Sequence, residues 1–236
     1  MNEQYKAGFS QADITPDFPV ELIGCYREDS RACGVHEPLY VQVLLFEQGE
    51  RRHCLIAIDS LGLTTARSDR LREKAAQMLG IGPENIMLNF SHTHSAPAPL
   101  SPLNGETYLA LLSERVLSCV KEARANLRPC LISWTLGEAG IGENRRDGCD
   151  ILDNRLGALQ IVDAGAEQPM ALLLRVCAHA NVLMSHSNKL SSDYIGLARK
   201  MIAADQGYPV MIVQGASGNL KPRGVHKIDG GNERVI

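Results

Sequence analysis

Ile86-Met87-Leu88-Asn89-Phe90-Ser91-His92-Thr93-His94-Ser95-Ala96-Pro97 joins a short apolar run to the densest group of imidazoles and hydroxyls in the chain. Ile86 to Leu88 with Phe90 reads as a buried strand, and side chains two apart on a strand share a face, so His92 and His94 are expected to look the same way. Pro97 and Pro99 break the strand just beyond. Two imidazoles at such a strand end can ligate one metal ion, or one ligates while the other handles protons. A pair of histidines satisfied by their surroundings is the plain alternative.

Upstream of this stretch, Tyr40 to Phe46 and His53 to Ile58 read as a hairpin about Glu47-Gln48-Gly49-Glu50, with Asp59 at the end of the second strand. From Ala66 the period changes to that of a helix. Leu71, Ala75, Met78 and Leu79 form its apolar stripe, and Gly80 is the natural stop. Downstream, Tyr108, Leu112, Val116, Val120 and Ala123 predict a long amphipathic helix that closes before Pro129. Leu131 to Leu136 returns to strand, and 137–150, rich in Gly, Asn, Asp and Arg, reads as a loop. Leu156 to Val162 and Met170 to Cys177 predict a second hairpin about Asp163-Ala164-Gly165. A helix over Asp193 to Ala204 and a strand over Pro209 to Val213 complete the order. Hairpins mixed with strand-helix-strand passages predict a mixed α and β fold, with mixed sheets layered with helices in a single domain. The sequence shows no internal repeat and no low-complexity tract.

At 236 residues the chain is long enough to bury a sizeable core. A formal charge of -3 and the lack of a basic stripe argue against nucleic acid and anionic membrane surfaces as partners. The amino terminus has no apolar core behind a basic start, and no run approaches the roughly 20 apolar residues of a membrane span, so a soluble, cytoplasmic protein is expected. The seven cysteines include no Cys-x-x-Cys pair and several lie in apolar segments, which argues against a disulfide framework or a cysteine metal site.

His179 follows the apolar run Ala171 to Cys177 and, like His92, stands at a strand end. Asp59 could orient a ligand histidine through its second ring nitrogen or cap the following segment, and Asp193 could cap the helix that begins there. His186, in a polar loop, ranks below His179.

These pieces fall in an order that resembles the neutral and alkaline ceramidase family. Gly8-Phe9-Ser10 with Ala12 to Pro16 resembles the family's first strand and turn, and Ile23-Gly24-Cys25-Tyr26 the step after it. Ser91 to Pro97 is similar to the family's signature. Asn144-Arg145-Arg146, Cys177 to Ala180, Leu190 to Asp193 and Gln214 to Pro222 follow in the family's order. The resemblance covers nearly the whole chain and implies a layered α and β fold with a zinc site. It implies His92 and His179 as zinc ligands, His94 as a non-ligand histidine beside the metal with a proton-transfer or transition-state-binding role, and Arg145 as an active-site arginine. Asp59, Asn144, Asp193, Asn219 and Lys221 are the candidates for supporting or substrate-facing roles.

The implied activity is zinc-dependent hydrolysis of an amide (N-acyl) or related acyl bond in a small-molecule or lipid-like substrate. The alternative is a non-catalytic metal-binding or ligand-binding relative. Two departures bear on this choice. Lys221 stands where the family's Asp-x-Ser-Pro pattern has its serine. The family's remaining zinc ligands, a glutamate and a tyrosine, come from beyond the last motif. Residues 1–236 are therefore expected to correspond to the amino-terminal catalytic domain without its carboxyl-terminal part. A further segment, a neighbouring subunit of a homo-oligomer or a nearby residue would complete the site, or the site is degenerate.

Overall fold

The first strand, β1 (Lys6–Asp13), pairs antiparallel along its whole length with β3 (Tyr40–Gln48), a two-residue β2 (Leu22–Ile23) lying between them in the chain. The computed structural model describes residues 4–227 and 233–235. The expected hairpin forms between β3 and β4 (Arg51–Ile58), and the register Gln48↔Arg51 leaves Gly49-Glu50 as the turn, with Gly49 at φ 58°. Helix α1 (Thr65–Leu79) buries Leu71, Ala75 and Leu79, and Gly80 ends it in the left-handed region. There the Ile81 amide reaches back to the Ala76 carbonyl. The chain then enters β5 (Ile86–Phe90), parallel to β4, and after a two-residue β6 (Ala96–Pro97) enters α2 (Gly105–Ala125).

The second half opens with β7 (Arg128–Glu138), longer than expected, and β8 (Gly142–Asn144), a short strand inside the segment read as a loop. The second hairpin joins β9 (Arg155–Asp163) to β10 (Pro169–Val176), and α3 (Asp193–Gln206) carries the chain to β11 (Val210–Gln214), parallel to β10. β12 (Leu220–Pro222) pairs with β8.

The main sheet has the order β11-β10-β9-β7-β1-β3-β4-β5. Its middle is narrow, for β1 meets β7 only at Lys6↔Pro129 and Ala7↔Arg128. On each side of that junction the pattern is the same: two antiparallel pairings, then a helix leading to a parallel edge strand. The chain thus repeats in topology what it does not repeat in sequence, because strand order depends only on where apolar periods and turns fall.

The two halves fold onto each other. Ala7, Leu44 and Ala57 from one side and Ile161, Leu173 and Met211 from the other share one core. Across the open end, Asn89 on β5 exchanges two hydrogen bonds with the Gln214 backbone on β11, both 2.9 Å, and so laces the two edge strands together. Helices α1 and α2 cover the outer face of the first half, where Val41, Val43, Ile56, Leu112 and Val116 form a second core. Helix α3 covers Leu174, Val210 and Ile212 on the other half. Gly8 lets α2 lie against β1, since a Cβ there would stand 2.0 Å from the Ala123 carbonyl oxygen. This is one layered domain of mixed sheet and helix, as the pattern of elements predicts. No helix among the described residues is long and apolar enough to cross a membrane.

Candidate metal centre

The site lies where the parallel pairs β4/β5 and β10/β11 end, one pair from each half. β5 stops at Phe90, so His92 and His94 are not on the strand, and alternation is not what brings them together. His92 instead takes φ 60°, a left-handed conformation that a side chain with a Cβ adopts only when its surroundings hold it there. They do so twice: the His92 amide donates to the Ser60 carbonyl at 2.9 Å, and its Nδ1 donates to the Leu61 carbonyl at 2.7 Å. The hydroxyl-rich context has the same cause. Thr93 and Ser95 are buried in an irregular turn, and Thr93 Oγ1 donates to Ser191 O while accepting the Ser95 amide, so the hydroxyl replaces missing ladder bonds.

His179, three residues beyond β10, is held in the same manner by the other half. Its amide donates to the Leu220 carbonyl at 3.0 Å and its Nδ1 to the Ser217 carbonyl at 3.2 Å. A carbonyl can only accept, so His92 and His179 both carry their hydrogen on Nδ1 and present a bare Nε2. His94 completes the group. Its amide donates to the carbonyl of Ala180, the residue after His179, and its Nε2 lies 3.1 Å from His179 Nε2. Two lone pairs cannot face each other at that distance. Either His94 donates an Nε2 hydrogen to His179, or a cation stands among the rings.

The three imidazoles pack edge to face with centroids 4.7–5.3 Å apart, and one ring nitrogen from each falls within 4.8 Å of the others. Nitrogens bound to one zinc at about 2.0–2.1 Å stand roughly 3.3 Å apart, so this donor set fits a zinc ion with little adjustment. Carbonyls on the outer ring nitrogens are the usual support of ligand histidines. Burial, and then the nearby charges of His179 and His92, pushes the His94 imidazole down to about 4. Burial likewise lowers His179. Both shifts favour the neutral imidazole, the form that can ligate a metal.

The other candidates sit around this group. Asp59 is buried but faces Arg199 at 2.6 Å and accepts the Tyr40 amide, so the orienting acceptors of the histidines are main-chain carbonyls and not this carboxylate. Arg145 lies exposed on the loop after β8, with its amide on the Asn219 carbonyl at 2.9 Å, and its positive charge is felt at His179. Asn144 and Asn219 both donate to the Ile151 carbonyl and so fasten the loop that carries Arg145. Lys221 pairs with Glu143 at 2.8 Å, directly across the β8–β12 ribbon. Asp193, at φ 57°, accepts the amides of Tyr194 and Leu183, tying α3 to the segment after His179, and burial raises its pKa. His186 is exposed and outside the histidine group.

Several residues of the site escaped the sequence reading. Leu61 and Ser217 act through main-chain carbonyls, which carry no residue signature. Arg199 lies on the apolar-patterned α3 with nothing local to link it to Asp59. Arg27 reaches the His94 carbonyl at 2.9 Å from just beyond the quoted Ile23 to Tyr26 stretch.

No protein-family model matches the chain, and no curated protein does either. Solved structures share its fold, two ceramidases among them. The crystal structure of neutral ceramidase from Pseudomonas aeruginosa superimposes with a TM-score of 0.84 at 21% identity over 98% of this chain and 41% of that one. A ceramidase complexed with C2 gives 0.84 at 22% identity, with the same coverage of 98% and 41%. The chain thus spans about two-fifths of the length of these ceramidases, and at this identity the likeness is one of fold.

Proposed function

We propose that the chain is a neutral ceramidase-like, zinc-dependent hydrolase that cleaves an amide (N-acyl) or related acyl bond in a lipid-like substrate. One observation carries the reading: on a fold shared with neutral ceramidase, His92 and His179 each give Nδ1 to a carbonyl and turn a bare Nε2 toward His94. In this reading His92 and His179 hold the metal. A zinc ion there would supply Lewis-acid polarisation of the scissile carbonyl and would acidify a water.

The chain's own groups do the rest. His94, neutral and fixed through its peptide to Ala180, takes up and returns the proton of the attacking water. Arg145, exposed and anchored by its amide, offers a planar fork to the oxyanion. The Asn144 and Asn219 bonds to Ile151 keep that fork on the site's rim. Residues 1–236 act as the amino-terminal part of a ceramidase-like catalytic unit. The histidine group includes no carboxylate, and the further ligands implied by the resemblance are sought outside it.

A second reading, a relative that binds metal or ligand without turnover, is favoured by Lys221. It stands where the family has a serine and is already engaged by Glu143. The test separates the two. Zinc analysis of the purified protein should give about one ion per chain, lost in His92→Ala and His179→Ala and kept in His94→Ala. Turnover of long-chain N-acyl amides should fall about 10²–10⁴-fold in His94→Ala, the range of a lost proton carrier. Equal zinc in all three variants would overturn the assignment of ligands. Zinc binding without any hydrolysis by the parent would favour the second reading.

A further inference from the structure

We infer that Arg27 is a positioning residue for His94, locking its peptide and the segment after His179 into one unit. β2 pairs with β6 through Leu22↔Pro97 and Ile23↔Ala96, which sets Gly24 to Arg27 alongside His94 and Ser95. From there a single nitrogen of the guanidinium, Nη2, donates to His94 O at 2.9 Å and Met184 O at 2.8 Å, with Ser187 O at 3.5 Å. Both peptide groups of His94 are then fixed, the amide by Ala180 and the carbonyl by Arg27. The ring has little freedom of its own, because Gly24 at φ 117° lies so close that a Cβ there would be 2.7 Å from His94 Cγ.

The other end of the arrangement is equally constrained. Met184 takes φ 40°, and the Leu183 amide beside it is held by the Asp193 carboxylate. The 183–187 segment is thus gripped by a carboxylate from α3 and a guanidinium from the β2 side. Nε and Nη1 of Arg27 are buried, and the Cys25 thiol is the group that the guanidinium meets beside them. Placing a half-buried cation against neutral main-chain carbonyls, with no carboxylate among the described residues to pair it, is costly for a mere loop staple. It is the pattern expected where position matters more than stability.

Only the kinetic arm of the test rests on the hydrolase reading. Hydrogen exchange measured on Arg27→Ala and Arg27→Lys should be faster than in the parent at the His94 amide and across 183–188, most in Arg27→Ala. Zinc content should stay at the parent level, since His92 and His179 keep their carbonyl partners. The value of kcat should fall about 10–100-fold in Arg27→Ala with KM little changed, as expected for a misplaced reacting group, and Arg27→Lys should recover part of it. If Arg27→Ala does not fold, Arg27→Lys and Arg27→Gln carry the same comparison. Unchanged exchange at His94 in a folded variant would overturn the inference, whatever the activity. So would loss of zinc together with kcat, which would make Arg27 a staple of the whole centre. A parent without turnover would sink the hydrolase reading and leave the exchange result to decide this one.

Discussion

Replacing Arg199 by leucine strands a carboxylate in the interior. Asp59 is 2% exposed and Arg199 9%, and two guanidinium nitrogens approach the two carboxylate oxygens at 2.6 and 3.3 Å. In Arg199→Leu the Tyr40 amide, at 2.9 Å, remains as a donor to Asp59 but carries no compensating charge. Removing one partner of a buried pair typically costs about 3–5 kcal/mol, because the surviving charge keeps its desolvation penalty. The guanidinium also lies 5.3 Å from the Tyr40 ring centroid, which adds about 0.5–1 kcal/mol to the loss. For a chain of this size each kcal/mol moves the melting temperature by about 2–4 °C, so a combined loss of about 3.5–6 kcal/mol should lower it by roughly 7–24 °C in calorimetry. Asp59→Asn combined with Arg199→Leu removes both charges while leaving an acceptor for Tyr40, and should regain most of that loss. Zinc content should be unaffected in the double variant, since the histidines are oriented by Leu61 and Ser217. A single-variant loss under 1 kcal/mol, or a double variant no better than the single, would refute the account of a desolvated pair.

Gly8→Ala should lose about 1–3 kcal/mol in urea denaturation, since the new methyl would meet the Ala123 carbonyl of α2 at 2.0 Å and the helix must move; an unchanged midpoint would show that α2 is free to slide. Gly24→Ala should fold but turn over poorly, because its Cβ would strike the His94 ring from a backbone at φ 117°, a conformation unfavourable to alanine. Full activity there would mean the ring's placement is not critical. Glu47 is held below its ordinary 4.5 by hydrogen bonds from Lys6 and then Arg52. A depressed carboxyl lends stability that is complete above that value and is lost as pH falls through the folded-state pKa, so Glu47→Gln should flatten the stability profile below about pH 4.5. Parallel pH curves for parent and variant would contradict it.

Amino-acid order alone determined the helices, the two hairpins and the strand-end placement of His92, His94 and His179, because those features depend on local periods and on residues such as Gly80 and Pro129 that act within a turn of themselves. It also carried the resemblance that suggested zinc and hydrolysis. What it could not supply was anything set by residues far apart. Strand alternation was the expected reason for His92 and His94 to converge, yet His92 lies past the strand at φ 60° and converges because Ser60 and Leu61 hold it there. Asp59 has a local reading as an orienting group or cap. Its partner Arg199, 140 positions away, becomes its neighbour only when α3 and β4 are packed together. The repeated topology, the Asn89–Gln214 lacing of the edge strands and the grip of Arg27 on His94 belong to the same class. Each depends on main-chain carbonyls or sheet closure, and a carbonyl is common to every residue and so leaves no mark in a sequence.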